Sequence, residues 1–141
     1  MADIITRAIP YPMLLIFKLV EEIQLYVAHQ RASQSDSSKN TIEEFIATSW
    51  LDSDCDLFAK LDIKQMRFAN FYALYSDIVD TINIYNLSAI MPTEDNITGA
   101  KARELSAKVE EIEQELINLR SRLKKETQFN RKMELNIEIN N

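Results

Sequence analysis

From Met13 to Val20 the chain reads MLLIFKLV, apolar everywhere but Lys18. As a strand, this run puts Met13, Leu15, Phe17 and Leu19 on one face and Leu14, Ile16 and Val20 on the other. Apolar residues on both faces suit a strand covered above and below, and a missing neighbour would leave an edge open to partners. Residues 23–30 (IQLYVAHQ) alternate instead, with Ile23, Leu25 and Val27 on one face and Gln24, Tyr26 and Gln30 on the other. Two such runs predict a hairpin, although the intervening Glu21-Glu22 lacks the glycine or asparagine that tight turns prefer. Residues 31–40 (RASQSDSSKN) read as a polar loop. A third strand is expected over about 41–50, with a short helix as the alternative, and DSDCD at 52–56 reads as an acidic loop.

The period then changes. Phe68, Phe71, Tyr72, Tyr75, Ile78, Val79 and Ile82 fall at steps of three and four, the stripe of a helix over about 64–84 whose aromatic face would cover the sheet. Pro92 closes this segment, and Thr93 with Glu94-Asp95 predicts the N-cap and acidic first turn of another helix. That helix is expected to run through 93–141, with Gly99 its only glycine. Its seam steps by four and three through Leu105, Val109, Ile112, Leu116, Leu119 and Leu123, which is coiled-coil-like spacing. Continued, the same step reaches Glu126, Asn130, Met133 and Ile137.

The flanks of the seam are charged: Lys108 and Glu115 on one side, Glu113 and Arg120 on the other. A parallel copy would pair Lys108 with Glu113 and Glu115 with Arg120. An acidic block (Glu110, Glu111, Glu113, Glu115) also precedes a basic one (Arg120, Arg122, Lys124, Lys125), which an antiparallel copy would match. Orientation stays open on charge alone. Glu126 and Asn130 have three readings: register devices, the point where the seam meets water, or part of a recognition surface. Because an unpaired buried carboxylate is costly, the seam is expected to be buried through Leu123 and to leave its partner at Glu126.

The fold class that follows is α+β. A body over 1–92 holds a small antiparallel sheet of about three strands (13–20, 23–30, 41–50) and the aromatic-faced helix. A long C-terminal amphipathic helix occupies 93–141. The length of 141 residues, with 46% hydrophobic residues, supports a modest core. The net charge of −6 makes direct nucleic-acid binding by the chain alone unfavourable. A single cysteine, Cys55, excludes an internal disulfide and suits a reducing compartment. With no signal-peptide pattern and no apolar run long enough to span a bilayer, a cytoplasmic protein without a membrane segment is expected.

Candidate chemistry is thin. Asp52, Asp54 and Asp56 have the spacing that opens a calcium loop, but the required Gly and bidentate Glu are replaced by Leu57 and Ile63. Asp62-Ile-Lys64 has a spacing used by metal-dependent nucleases, where the pair comes from a strand with an upstream acid, yet here it precedes a helix. His29, the one histidine, shares the face of Ile23, Leu25 and Val27 and is expected to be partly buried. Ser37-Ser38-Lys39 sits in a polar stretch with no base to activate a serine. The sequence therefore designates no catalytic residue, metal or cofactor.

Four stretches, AIPYPMLLIF, AHQR, DSSK and above all QFNRKMELN, resemble the family catalogued as domain of unknown function 4391. The family's domain normally begins some tens of residues earlier, with further strands, so the chain reads as a short or N-terminally truncated member. The resemblance implies an accessory role beside bacterial helicases and DNA modification or restriction enzymes, and so a place in phage defence. It also draws the candidate interaction surface onto the family's most recognisable string: Gln128, Phe129, Asn130, Arg131, Lys132, Glu134 and Asn136. The expected function is a non-catalytic module, engaging a protein partner or a second copy through the C-terminal helix. A nuclease-like fragment lacking its catalytic N-terminal part is the alternative.

Overall fold

A computed structural model describes residues 1–9, 11–32, 40–92 and 97–141. The N-cap expected at Thr93, with Glu94 and Asp95, lies outside these residues, as does Ser37-Ser38-Lys39. The chain divides into two compact units, Met1–Ala102 and Arg103–Asn141.

The first unit has the expected α+β architecture. Helix α1 (Ala2–Ala8) precedes strands β1 (Leu14–Leu19), β2 (Glu22–Ala32), β3 (Asn40–Ala47) and the two-residue β4 (Leu51–Asp52). Helix α2 (Asp56–Lys60), a 3-10 turn (Ile63–Gln65), helix α3 (Phe71–Ile90) and the start of α4 (Gly99–Lys125) follow. The sheet is antiparallel in the order β1-β2-β3, with β4 pairing β2 at Glu22 and Ile23. β4 resumes the track that β3 leaves at Ala47. In the gap the Thr48 hydroxyl accepts from the Leu25 N–H at 3.0 Å, and the Thr48 N–H donates to the Leu25 carbonyl at 2.9 Å. The third strand read over 41–50 is thus one strand with a kink.

Alternation along β2 sorts the two faces. Leu25 and Val27 pair with Ile16 and Leu14 of β1, and Val27 with Ile46 of β3. They build the core with Leu51, Leu57, Val79 and Ile82. On the opposite face Phe17 pairs with Gln24, and Tyr26 and Phe45 place their rings 5.9 Å apart. Helix α1, which the sequence reading did not anticipate, serves this second face: the Arg7 guanidinium sits 5.2 Å above the Phe45 ring. Its signal was weak, because one short helix before Pro10 carries little periodicity. β1 has no strand neighbour but β2 among the described residues, and Ile16, although it points to the core face, is exposed. His29 is buried opposite Glu44.

The hairpin turn is Val20-Glu21, one residue earlier than the Glu21-Glu22 expected, since Leu19 still pairs with Glu22. Val20 takes φ 54°, a left-handed conformation at the first central position of a two-residue loop, where glycine is the usual occupant. A β-branched residue there is strained.

Helix α3 corrects the boundary of 64–84. It begins at Phe71, because Asn70 caps it: the Asn70 side chain accepts from the Ala73 N–H at 2.8 Å. The preceding strap is pinned by Asp77, which accepts from the Arg67 N–H at 2.8 Å and from its guanidinium at 2.7 Å. The aromatic stripe is therefore only partly inward. Tyr75, Ile78, Val79 and Ile82 pack on the sheet, while Phe68, Phe71 and Tyr72 are exposed, Phe71 at 89%.

The Tyr75 hydroxyl ends where β1 begins. It accepts from the Ala28 N–H at 3.1 Å and lies 2.9 Å and 3.0 Å from the Met13 and Ala28 carbonyls, to which it can donate. Burial holds its pKa above the usual tyrosine value. A second buried strip on α3, Ser76, Asn83 and Leu87, is turned away from that face. Asp80 lies beside it and presses on Gly99, where any Cβ would collide with the carboxylate.

Three outcomes are expected. Val20→Gly exchanges about 1–2 kcal/mol of left-handed strain for a smaller loss to the freer unfolded chain. It should stabilise the protein by roughly 0.5–1 kcal/mol in a urea melt, and a lower midpoint would contradict the turn geometry. Tyr75→Phe leaves the Ala28 N–H without its partner and should cost about 1–3 kcal/mol. Phe71→Ala, at an exposed site, should stay within about 0.5 kcal/mol of the parent; a large loss would mean that Phe71 is covered.

Candidate interaction surface

The second unit replaces the single helix expected over 93–141 with two. α4 ends at Lys125, and α5 (Phe129–Asn140) starts after three intervening residues. No proline or glycine marks the break. Glu126 makes it: its carboxylate accepts from the Thr127 and Gln128 N–H groups, both at 2.9 Å. These bonds hold the Glu126 carboxyl below its ordinary range, with the Gln128 N–H the largest cause and the Arg131 and Lys132 charges adding to it. The Glu126 N–H meanwhile closes a tighter turn onto the Leu123 carbonyl at 3.3 Å. A carboxylate just before α5 also suits the positive end of its dipole, as Arg122, Lys124 and Lys125 suit the negative end of α4.

Residues from both sides of the elbow share a groove. Arg122, Lys125 and Glu126 line one groove of about 490 Å³ with Arg131, Glu134, Leu135 and Glu138. In a straight helix Arg122 and Glu138 would stand about 24 Å apart, at 1.5 Å per residue. Arg131 lies 3.9 Å from Glu126 across the elbow. Leu119 on α4 and Leu135 on α5 are the buried apolar residues of the unit.

The seam is divided by this arrangement. Leu116 and Leu123 are half-buried around Leu119, and Leu105 and Val109 are half-buried further back. Ile112 is 64% exposed. Within the single chain Ile112 is thus left uncovered, while its seam neighbours are at least half-buried.

The candidate surface residues sit at the start and on the outside of α5. Gln128 is the N-cap residue without a side-chain cap bond. Phe129, Asn130, Arg131, Lys132, Glu134 and Asn136 are all exposed. Asn130 is thus a residue of the second helix, not a seam position of the first. The sequence reading missed the separation within α5. Phe129, Met133 and Ile137 recur every four residues and are exposed, whereas Leu135 is buried. Resetting the helical phase at Gln128 would have revealed it, but nothing upstream announces the reset.

The other candidate residues have local duties. Asp62 caps the 3-10 turn, accepting from the Lys64 N–H at 3.0 Å, which accounts for its Asp-x-Lys spacing. Asp52 belongs to β4, and its carbonyl accepts from the Cys55 N–H at 3.0 Å. The Cys55 thiol is hydrogen-bonded to the Tyr85 hydroxyl at 3.1 Å. Among the described residues no three His, Cys, Asp or Glu side chains converge as metal ligands, and no helix is long and apolar enough to cross a membrane.

Comparison with known proteins gives one match: the family model described as "Domain of unknown function (DUF4391)" covers residues 1–141. No curated protein and no solved structure matches.

The elbow should respond to acid. Because the Glu126 pKa is lowered in the fold from 4.5, its contribution is fully present above that pH and is lost as pH falls through the lower folded value. The Thr127 and Gln128 amide resonances should therefore shift together below about pH 4.5. Glu126→Ala should give the acid-like resonances at neutral pH. If those amides titrate the same way in Glu126→Ala, the carboxylate does not hold the elbow.

Proposed function

The chain belongs to the DUF4391 family, and from that premise we propose that it is a non-catalytic interaction module that assembles through its C-terminal helices. The observation that carries this reading is the stripe of Phe129, Met133 and Ile137, exposed along one side of α5. Large apolar residues aligned at helical spacing on a surface mark a protein contact far better than scattered ones do. Ile112 on α4 adds a further uncovered apolar residue.

The occupant favoured by charge is a second copy in antiparallel orientation. On α4 the carboxylates Glu110, Glu111, Glu113 and Glu115 precede the cations Arg120, Arg122, Lys124 and Lys125. An antiparallel copy brings each block beside its opposite; a parallel copy brings like beside like. The parallel pairs of Lys108 with Glu113 and Glu115 with Arg120 require two α4 seams to face each other directly. Such charge matching contributes to orientation and association rate more than to affinity. The family resemblance further suggests the setting, an accessory to a bacterial restriction or helicase-type defence system. No arrangement of residues here favours the nuclease-like alternative.

Sedimentation equilibrium tests the assembly. The full chain should form a dimer that weakens with salt, as screened charge pairs do. Met133→Glu, at an exposed site that the monomer's fold does not need, should shift the chain to monomer without lowering its melting temperature. A chain that is monomeric at every concentration, or a dimer indifferent to Met133→Glu, would overturn the reading.

A further inference from the structure

We propose that the cleft between α1 and the second face of the sheet is an aromatic cage for an alkylammonium group. The cleft, about 400 Å³, is lined by the aromatic residues Phe17, Tyr26 and Trp50, by Gln24, by Ala2 and Asp3 of α1, and by Met1 at its N-cap. Its volume falls within the range of small-ligand clefts.

The sheet register explains why three rings meet there. Phe17 of β1 stands opposite Gln24 of β2, and Tyr26 follows Gln24 on the same face. Leu51 pairs with Ile23 and points into the core, so Trp50, its chain neighbour, is turned to the other face. The Gln24 side chain donates to the Thr48 carbonyl at 2.8 Å, which ties the segment leading to Trp50 against β2. Trp50 remains 42% exposed, an unusual position for the one tryptophan of the chain.

The chemistry of the lining selects a cation. The faces of aromatic rings carry negative charge density and attract ammonium and guanidinium groups, and a set of rings around one position is the usual receptor for methylated ammonium. Asp3 adds a formal negative charge to the same cleft. Its Oδ1 accepts from the Arg7 Nε–H at 2.8 Å. The negative charge of Asp3 reaches the Tyr26 hydroxyl, whose pKa is raised by burial first and by Asp3 second. This face already holds one cation by the same two means, since Arg7 is bound by Asp3 and lies over the Phe45 ring. Arg7 is not among the residues lining the cleft. A ligand cation would sit on the next three rings along.

The group could arrive as a free small molecule or as the trimethylated lysine of another protein; the cage chemistry is the same. Trp50, as the only tryptophan, reports binding directly. Its emission is titrated in the full chain with choline, with the neutral isostere 3,3-dimethylbutan-1-ol, with tetramethylammonium and with a short trimethyllysine peptide, all at constant ionic strength. Choline should give a saturable change, with binding about tenfold or more weaker for the neutral isostere. Asp3→Asn and Phe17→Leu should each weaken choline binding several-fold while the far-UV melt keeps its midpoint. A trimethyllysine peptide that binds about tenfold more tightly than tetramethylammonium places the group on a protein chain, and equal binding points to a free ligand. Equal affinity for choline and its neutral isostere, or no saturable change with any cation, would overturn the proposal.

Discussion

The Tyr75 hydroxyl is the point on which the first unit turns. It meets the Met13 carbonyl and both backbone groups of Ala28, so one side chain of α3 is tied to the start of β1 and to the middle of β2. A hydroxyl with three backbone neighbours in a partly buried place tolerates little rotation of the helix that carries it. With Tyr75 fixed, the 3.6-residue period sends Ile78, Val79 and Ile82 toward Leu25, Val27 and Ile46, while Phe71 and Tyr72, at the helix start, remain exposed. The same placement explains β1. α3 crosses β2 and β3, so Ile16 on the core face of β1 receives no cover and stays exposed. The doubly apolar sequence of β1 and its position at the sheet edge then belong to one fact: this strand is built for more neighbours than the described residues supply.

Much of this was legible in the chain. Period-two alternation identified β2 and its buried face correctly, since burying one face fixes register strongly. Period-three-and-four spacing identified α3 and half of its packing residues. The errors fall where a single side-chain hydrogen bond outweighs periodicity. Asn70 starts α3 by capping Ala73, several residues after the apolar spacing would begin it. Phe68 and Phe71 continue the stripe in sequence, but Phe68 precedes the helix and Phe71 sits in its first turn, outside the reach of the sheet. Glu126 ends α4 by taking the Thr127 and Gln128 N–H groups. A glutamate in a charged helix is unremarkable by composition, so a break made this way leaves no trace in propensity. The family's most recognisable string, QFNRKMELN, was the better guide: it begins at the N-cap residue of α5, and so marked an element boundary that the seam arithmetic ran through.

The scarcity of glycine ties these local devices together. With Gly99 as its only glycine, the chain has few positions that accept a left-handed turn at no cost. It ends and starts its elements with side-chain oxygens instead: Asp62 at the 3-10 turn, Asn70 at α3, Thr98 accepting from the Lys101 N–H at 3.2 Å in the first turn of α4, and Glu126 at the elbow. Where no such oxygen serves, at the β1–β2 turn, the chain accepts a valine at positive φ. The one glycine is reserved for a position where space, not backbone freedom, is limiting, beneath the Asp80 carboxylate.

A carboxylate that caps is also a carboxylate withheld from chemistry. Asp62, Asp77 and Glu126 each direct oxygens at backbone N–H groups; the Arg67 side chain first holds the Asp77 carboxyl below the ordinary carboxylate range, and the Gln128 N–H first does so for Glu126. Of the acids that drew attention in the sequence, Asp62 and Glu126 thus do structural work. The side chains left over for recognition are of another kind: the apolar row on α5, and the three rings beside Asp3, whose negative faces do for a cation what the spent carboxylates cannot. Recognition by ring faces and apolar surface needs no acid freed from its cap, so a chain that spends its carboxylates on turns keeps a means of binding that does not compete with its fold.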